Sequence, residues 1–210
     1  DGESAIYVGS FARGERNGEG TLFGGIHPVY IGEWKNGLRN GKGEEYDKNH
    51  CLIKKGYWIR DVFESDLIPS IGLNEDMIEY DVKNNSYNSP DYDPVFIPQL
   101  SKLKRMIIGN DCFVNTTRFI VDGLNDLESM KIGDRCFTLG RWDSCNGLIG
   151  EARKGSECVI VNCPKLHQIQ IGTYSFADYV KMELKNLPSL QSLNLGGKNF
   201  FWIESFELKG

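Results

Sequence analysis

What this sequence lacks narrows its function before any motif is sought. No apolar run approaches the roughly 18 residues that a membrane-crossing helix needs. Histidine is scarce: of 210 residues only His27, His50 and His167 carry an imidazole, 3 in all. None stands in a serine or cysteine motif that would give a nucleophile its base. The glycine-rich stretches lack the lysine and hydroxyl residue that close a phosphate loop, so we expect a non-enzymatic protein without cofactor or metal. A block of basic charge is missing too. Basic residues number 9 against 10 acidic over 1–65, 1 against 7 over 66–98, and 14 against 12 over 99–210. That balance argues against nucleic acid as a partner and speaks only weakly for an anionic membrane.

The 6 cysteines lack the short, paired spacing of a disulfide scaffold, which favours reduced thiols and an intracellular address, cytoplasmic or cytoskeleton-associated. An extracellular address stays open, because Asn84-Asn85-Ser86 and Asn115-Thr116-Thr117 fit the glycosylation acceptor pattern. Asp1 in first place, with no charged and apolar leader behind it, marks either a processed product or part of a longer chain.

Glycine, by contrast, is abundant and periodic. "YVGSFARGERNGEG" (7–20) and "YIGEWKNGLRNGKG" (30–43) share one frame: Tyr-x-Gly-x-aromatic, then three further glycines. A third copy, "KKGYWIRD", keeps Gly56 and Trp58 but has Lys54 at the tyrosine position and Asp61 at a glycine position. Side chains alternate along a strand, so Tyr30, Gly32 and Trp34 share one face. Asn36-Gly37 and Asn40-Gly41 supply the positive φ that reverses a chain. A strand without side chains on one face is weak unless something large lies on it. The expectation is that aromatics of one hairpin pack over glycines of another. Tyr7, Phe11, Tyr30, Trp34 and Trp58 are read first as packing, with a peptide-binding aromatic groove as the alternative. The frame resembles the MORN (membrane occupation and recognition nexus) repeat. That resemblance implies an elongated antiparallel sheet used in assembly and, in some members, contact with phospholipid.

A second repeat follows. "LSKLKRMIIGNDCF" (100–113), "LNDLESMKIGDRCF" (124–137), "CPKLHQIQIGTYSF" (163–176) and "LPSLQSLNLGGKNF" (187–200) align on L-x-x-L-x-x-L-x-I-G-x-x-x-F. One copy carries an insertion within 138–157. "FIV", "CVI" and "MEL", beginning at Phe119, Cys158 and Met182, each five residues ahead of the next frame, and "FEL" at Phe206, opening a rung with no frame after it, read as second strands. The frame resembles leucine-rich repeats of the protist and bacterial-surface-antigen-like type. The resemblance implies a solenoid of parallel strands that binds other proteins; lacking the regular turn asparagine, it should lack the asparagine ladder.

The fold class expected is therefore mainly β, a repeat protein: a MORN hairpin sheet over 1–65, an acidic junction and solenoid cap over 66–98, and a leucine-rich-repeat solenoid over 99–210. In the junction, "MIEYDV" alternates like an imperfect capping strand and "KNNSYNSPDYDP" reads as a loop. Cys145, Cys158, Cys163 and His167 superficially suggest zinc, but Cys158 and Cys163 fall at inward apolar positions of the frame, where cysteine serves as a small hydrophobe. Cys112 and Cys136 share a position in adjacent rungs and read as a pair of reduced thiols rather than a disulfide.

The expected function is a protein–protein interaction scaffold or structural assembly component. The candidate contact residues are Tyr7, Tyr30 and Trp34 on the hairpin face, Trp142 in the inserted loop and Phe206 at an open solenoid end. Expected partners are other proteins, including copies of itself through that end. Phospholipid attachment and a surface adhesin are the alternatives.

Overall fold

The computed structural model describes residues 5–65, 71–73, 76–97, 100–143 and 147–209, the side chains of 5, 64, 65, 141–143 and 147–149 excepted. The chain divides into two units, Asp1–Ile68 and Pro69–Gly210.

The first unit is one antiparallel sheet of six strands in sequence order: β1 (Ala5–Ala12), β2 (Glu15–Gly24), β3 (His27–Lys35), β4 (Leu38–Tyr46), β5 (Leu52–Ile59) and β6 (Val62–Ser65). The tight turns are built at Arg13-Gly14, Asn36-Gly37 and Arg60-Asp61, all at positive φ, the backbone that two-residue hairpin loops require. Glycines line up across the sheet: Gly9 opposite Gly20, Gly20 opposite Gly32, Gly32 opposite Gly43 and Gly43 opposite Gly56. A Cβ on Gly20 would fall on the Tyr7 ring, and one on Gly43 on the Tyr30 ring. Both glycines belong to the hairpin of the ring they carry, not to a neighbouring one as expected. It is the tryptophan that crosses over: Trp34 Nε1 donates to Gly20 O in the preceding hairpin at 3.0 Å. The degraded third copy still forms a hairpin, with Trp58 opposite Gly41 and Phe63 opposite Trp58.

The second unit is a β-solenoid of about five turns from residue 79 on. One parallel sheet holds β7 (Glu79–Val82), β9 (Arg105–Ile108), β11 (Ser129–Ile132), β15 (Gln168–Ile171) and β17 (Ser192–Leu195). The other holds β8 (Val95–Ile97), β10 (Arg118–Asp122), β14 (Arg153–Val161), β16 (Tyr179–Lys185) and β18 (Ser205–Lys209). The register Phe119–Cys158–Met182–Phe206 runs through the second sheet as the alignment of strands requires. The insertion forms a small hairpin, β12 (Arg141–Asp143) with β13 (Gly147–Ile149).

The solenoid starts earlier than expected. "MIEYDV", expected as a capping strand, supplies β7, and the stretch read as a loop is the turn of that first rung, with Tyr87 taking the place of the frame phenylalanine. Tyr87, Phe113, Phe137, Phe176 and Phe200 stack in one column with ring centroids 4.6–5.2 Å apart. Each of these five residues holds a positive φ, a conformation that burial of a large ring offsets in every rung. Leucines of the L-x-x-L frame, Leu103, Leu124, Leu127 and Leu166 among them, fill the space between the sheets.

The polar turns overturn the expected absence of a ladder. Asn84, Asn110 and Asp134 each accept, through the side chain, the backbone N–H at the same position one rung on: Asn110, Asp134 and Thr173, at 2.7–2.9 Å. The glycine of each "IG" step is the bed for that side chain, since a Cβ at Gly109, Gly133 or Gly172 would strike it. At another turn Asn162 donates to Asp122 and Asn186 to Asn162, at 2.8 and 2.7 Å. Sequence inspection missed both because asparagine and aspartate share the role and the frame was anchored on its apolar positions.

Candidate functional site

On the hairpin face the rings form a continuous row. Tyr7 meets Trp34 at 5.3 Å, Trp34 meets Tyr30 at 5.1 Å and Tyr30 meets Trp58 at 5.4 Å, all edge to face. The Tyr7 and Tyr30 hydroxyls donate to the carbonyls of Ser10 and Glu33, three residues on in each case. Burial pushes the Tyr30 hydroxyl far above the ordinary tyrosine range, so it stays a donor.

Arginines lie over this row. The Arg16 guanidinium sits 4.3 Å from the Trp34 ring centroid and 5.8 Å from Tyr7; Arg39 sits 3.9 Å from Trp58 and 5.5 Å from Tyr30. Stacking of this kind suits the planar, weakly hydrated guanidinium. Arg39 is also held by carboxylates, Nε to Asp61 at 3.0 Å and Nη1 to Glu45 at 2.8 Å, and Lys54 reaches Glu45 at 3.1 Å. A groove of about 430 Å³ runs along the row, lined by Arg16, Trp34, Arg39, Glu45, Tyr46 and Asp61 among others. A larger one of about 1040 Å³ includes Ile31, Lys42, Leu52, Ile53, Lys55 and Tyr57.

Residues 7–24 and 30–52 match the MORN-repeat family. A MORN repeat points to a protein-interaction or membrane-binding role. No curated protein and no solved structure matches the chain. The leucine-rich resemblance finds no matching family, so the second unit is a β-solenoid with a sheet on each side.

The MORN face brings Tyr7, Tyr30 and Trp34 together in one row. Tyr30 and Trp34 are 1% and 2% exposed, which corrects the groove reading for these two: neighbouring rings and arginines take up their faces. Tyr7 is half-buried. The Trp142 side chain lies outside the described residues, though its strand is placed. What a partner would meet at the MORN groove is the arginine layer, which sequence reasoning passed over. The signal was present: Arg16 and Arg39 stand at the same place in two copies, and Asp61 interrupts the third.

In the solenoid unit Phe206 and Leu208 on β18 are 50% and 60% exposed, whereas Met182 and Leu184, their partners on β16, are 0% exposed. Phe201, Trp202 and Ile203 before them are exposed as well. Cys158 and Cys163 are buried among apolar side chains and His167 is exposed. Among the described residues, no cluster of three or more His, Cys, Asp or Glu side chains could hold a metal ion, and no helix is long and apolar enough to cross a membrane. Cys112 and Cys136 are free and buried. The Cys136 thiol donates to Gly109 O at 2.9 Å, and the Cys112 thiol beside it, with burial, pushes its pKa up.

Proposed function

We propose that the chain is a non-enzymatic scaffold for protein–protein contact, with one contact region on each unit: the arginine-topped MORN groove and the last rung of the solenoid, which on its L-x-x-L frame we read as leucine-rich in type. The observation that carries this reading is the last rung. Among the described residues, side chains that are core one rung back are surface at Phe206 and Leu208, and β18 is paired on one side. An exposed apolar rung with free backbone donors and acceptors is a template for another β-strand, whether of another protein or of a further rung in a longer chain.

Cross-linking of the full chain in native extract, with the links mapped by mass spectrometry, tests the proposal. Protein partners linked through 198–209 or through the MORN hairpins support it. Phe206→Lys should remove links at the rung and leave those at the hairpins. A chain that links to no protein through either region is not a scaffold. The second reading, attachment to phospholipid, is favoured by the MORN match; recovery with anionic vesicles in flotation, and none with neutral ones, would support it in place of the first.

A further inference from the structure

The two MORN copies use the same arginine differently. In the second, Arg39 is saturated. Its Nε and backbone N–H both donate to Asp61 Oδ1, at 3.0 and 2.9 Å, its Nη2 to Asp61 O at 3.1 Å, and its Nη1 to Glu45. Asp61 enters from the turn of the following hairpin, and the turn is tied down by Asp61 N–H donating to Arg39 O at 3.0 Å.

The first copy repeats that scaffold without the carboxylates. Gly37 N–H donates to Arg16 O at 3.0 Å, the same bond one repeat earlier, so Gly37 stands where Asp61 stands. Leu22 stands where Glu45 stands. Among the described residues Arg16 therefore touches rings only, Trp34 and Tyr7. A Cβ built on Gly37 would meet nothing within 4 Å, so the place from which the Asp61 side chain leaves the backbone in the second copy is open in the first. The two carboxylates that line the groove, Glu45 and Asp61, are both committed to Arg39. That leaves Arg16, among the described residues, as the charged side chain of the groove without a hydrogen-bonded partner of opposite sign.

Asp61 also shows what the slot selects. It holds φ +72°, a backbone that disfavours side chains, and its carboxylate receives two charge-assisted hydrogen bonds there. Planar fork geometry makes arginine, more than lysine, a reader of carboxylates.

We propose that the first MORN repeat binds an acidic peptide segment, an aspartate or glutamate side chain pairing with Arg16 in the open space beside Gly37 as Asp61 pairs with Arg39. The proposal rests on the reading of the MORN groove as a protein-contact surface and names the chemistry of its partner. A peptide is favoured over a phospholipid headgroup because the slot's occupant one repeat on, Asp61, is a backbone-borne carboxylate.

The test uses the full chain and a fluorescein-labelled decapeptide of alternating aspartate and serine, with its asparagine version as control, read by fluorescence anisotropy. Binding should weaken as salt rises and be lost with the asparagine peptide. Arg16→Gln should weaken it at least tenfold. Gly37→Asp should weaken it as much by supplying the carboxylate from within, while Gly37→Asn, which suits the same φ of +83° but carries no charge, should bind like the wild type. Circular dichroism and the melting temperature check that each variant folds. No binding of the aspartate peptide, equal loss in both Gly37 variants, or indifference to Arg16→Gln would each overturn the proposal. So would Arg16-dependent binding of phosphatidylserine vesicles without peptide binding. Cross-links from the MORN hairpins to proteins, unchanged in Arg16→Gln, would leave the scaffold reading standing and sink only this one.

Discussion

The two units answer one problem, what to lay on a strand that has glycine where a side chain should be, in opposite ways. In the MORN sheet the bed carries an aromatic ring from the same hairpin, Tyr7 over Gly20 and Tyr30 over Gly43. In the solenoid the bed carries an Asx side chain from the rung before, Asn110 over Gly133 and Asp134 over Gly172. The first arrangement closes a short loop and joins neighbours through rings and arginines. The second closes a whole turn and joins neighbours through polar ladders, leaving the rings to an inner column. Glycine spacing alone thus does not say whether apolar or polar groups will hold a repeat together; the register of the pairing strands does.

The comparison breaks first at the ring column. Phe137→Ala, in the middle of the stack and fully buried, should cost the solenoid about 3–5 kcal/mol. In calorimetry the solenoid transition should fall while the MORN transition holds; a common shift of both would mean that the units do not store stability separately. Next is the aromatic bed: Gly43→Ala should cost about 2 kcal/mol by pushing the Tyr30 ring off its seat. Most of that cost should vanish in a Tyr30→Ala background, and a double-mutant cycle with no coupling would show that the ring is not what the glycine serves.

Smaller effects sharpen the contrast between the copies. Arg39→Gln should cost about 1.5 kcal/mol in urea unfolding, because it removes the guanidinium hydrogen bonds to Asp61 and Glu45 as well as the ring stacking, against about 0.5 kcal/mol for Arg16→Gln, which loses only ring stacking. Asn110→Ala removes the acceptor for the Asp134 N–H and should cost about 1 kcal/mol; amide exchange at Asp134 should quicken. The smallest effect concerns Glu33, whose carboxyl is pushed up, first by burial, against the pull of the Lys42 N–H. A folded-state pKa raised above the unfolded one favours folding below the unfolded value and loses that contribution as pH rises through the folded value. The melting temperature of Glu33→Gln should therefore gain on the wild type as pH climbs through that window, then level off.

Much of this was legible in the residues. Both repeats, the mainly β class, the second-strand positions at Phe119, Cys158, Met182 and Phe206, and the inward place of Cys158 and Cys163 follow from alternation and period, which are properties of the chain itself. Of the first solenoid rung only the capping strand in "MIEYDV" was legible, because Tyr87 replaces phenylalanine and polar residues surround it; its ring is recognised only by stacking on Phe113. The candidate contact residues differ in exposure. Tyr30 and Trp34 were found as a pair but are enclosed, whereas Phe206 is exposed, and nothing in their alternation could separate the two outcomes.

By itself the sequence determined the strands, the turns and the existence of beds, since each depends on residues within a few positions of one another along the backbone. Only the tertiary structure decided what fills each bed and each arginine slot. Asp61 reads as a worn copy of glycine until the next hairpin folds back and sets its carboxylate on Arg39, and Arg16 is left facing open space for the same reason. The pairing of Asp61 with Arg39 joins residues 22 positions apart, and the register that brings them together is fixed by strands pairing, not by any local pattern.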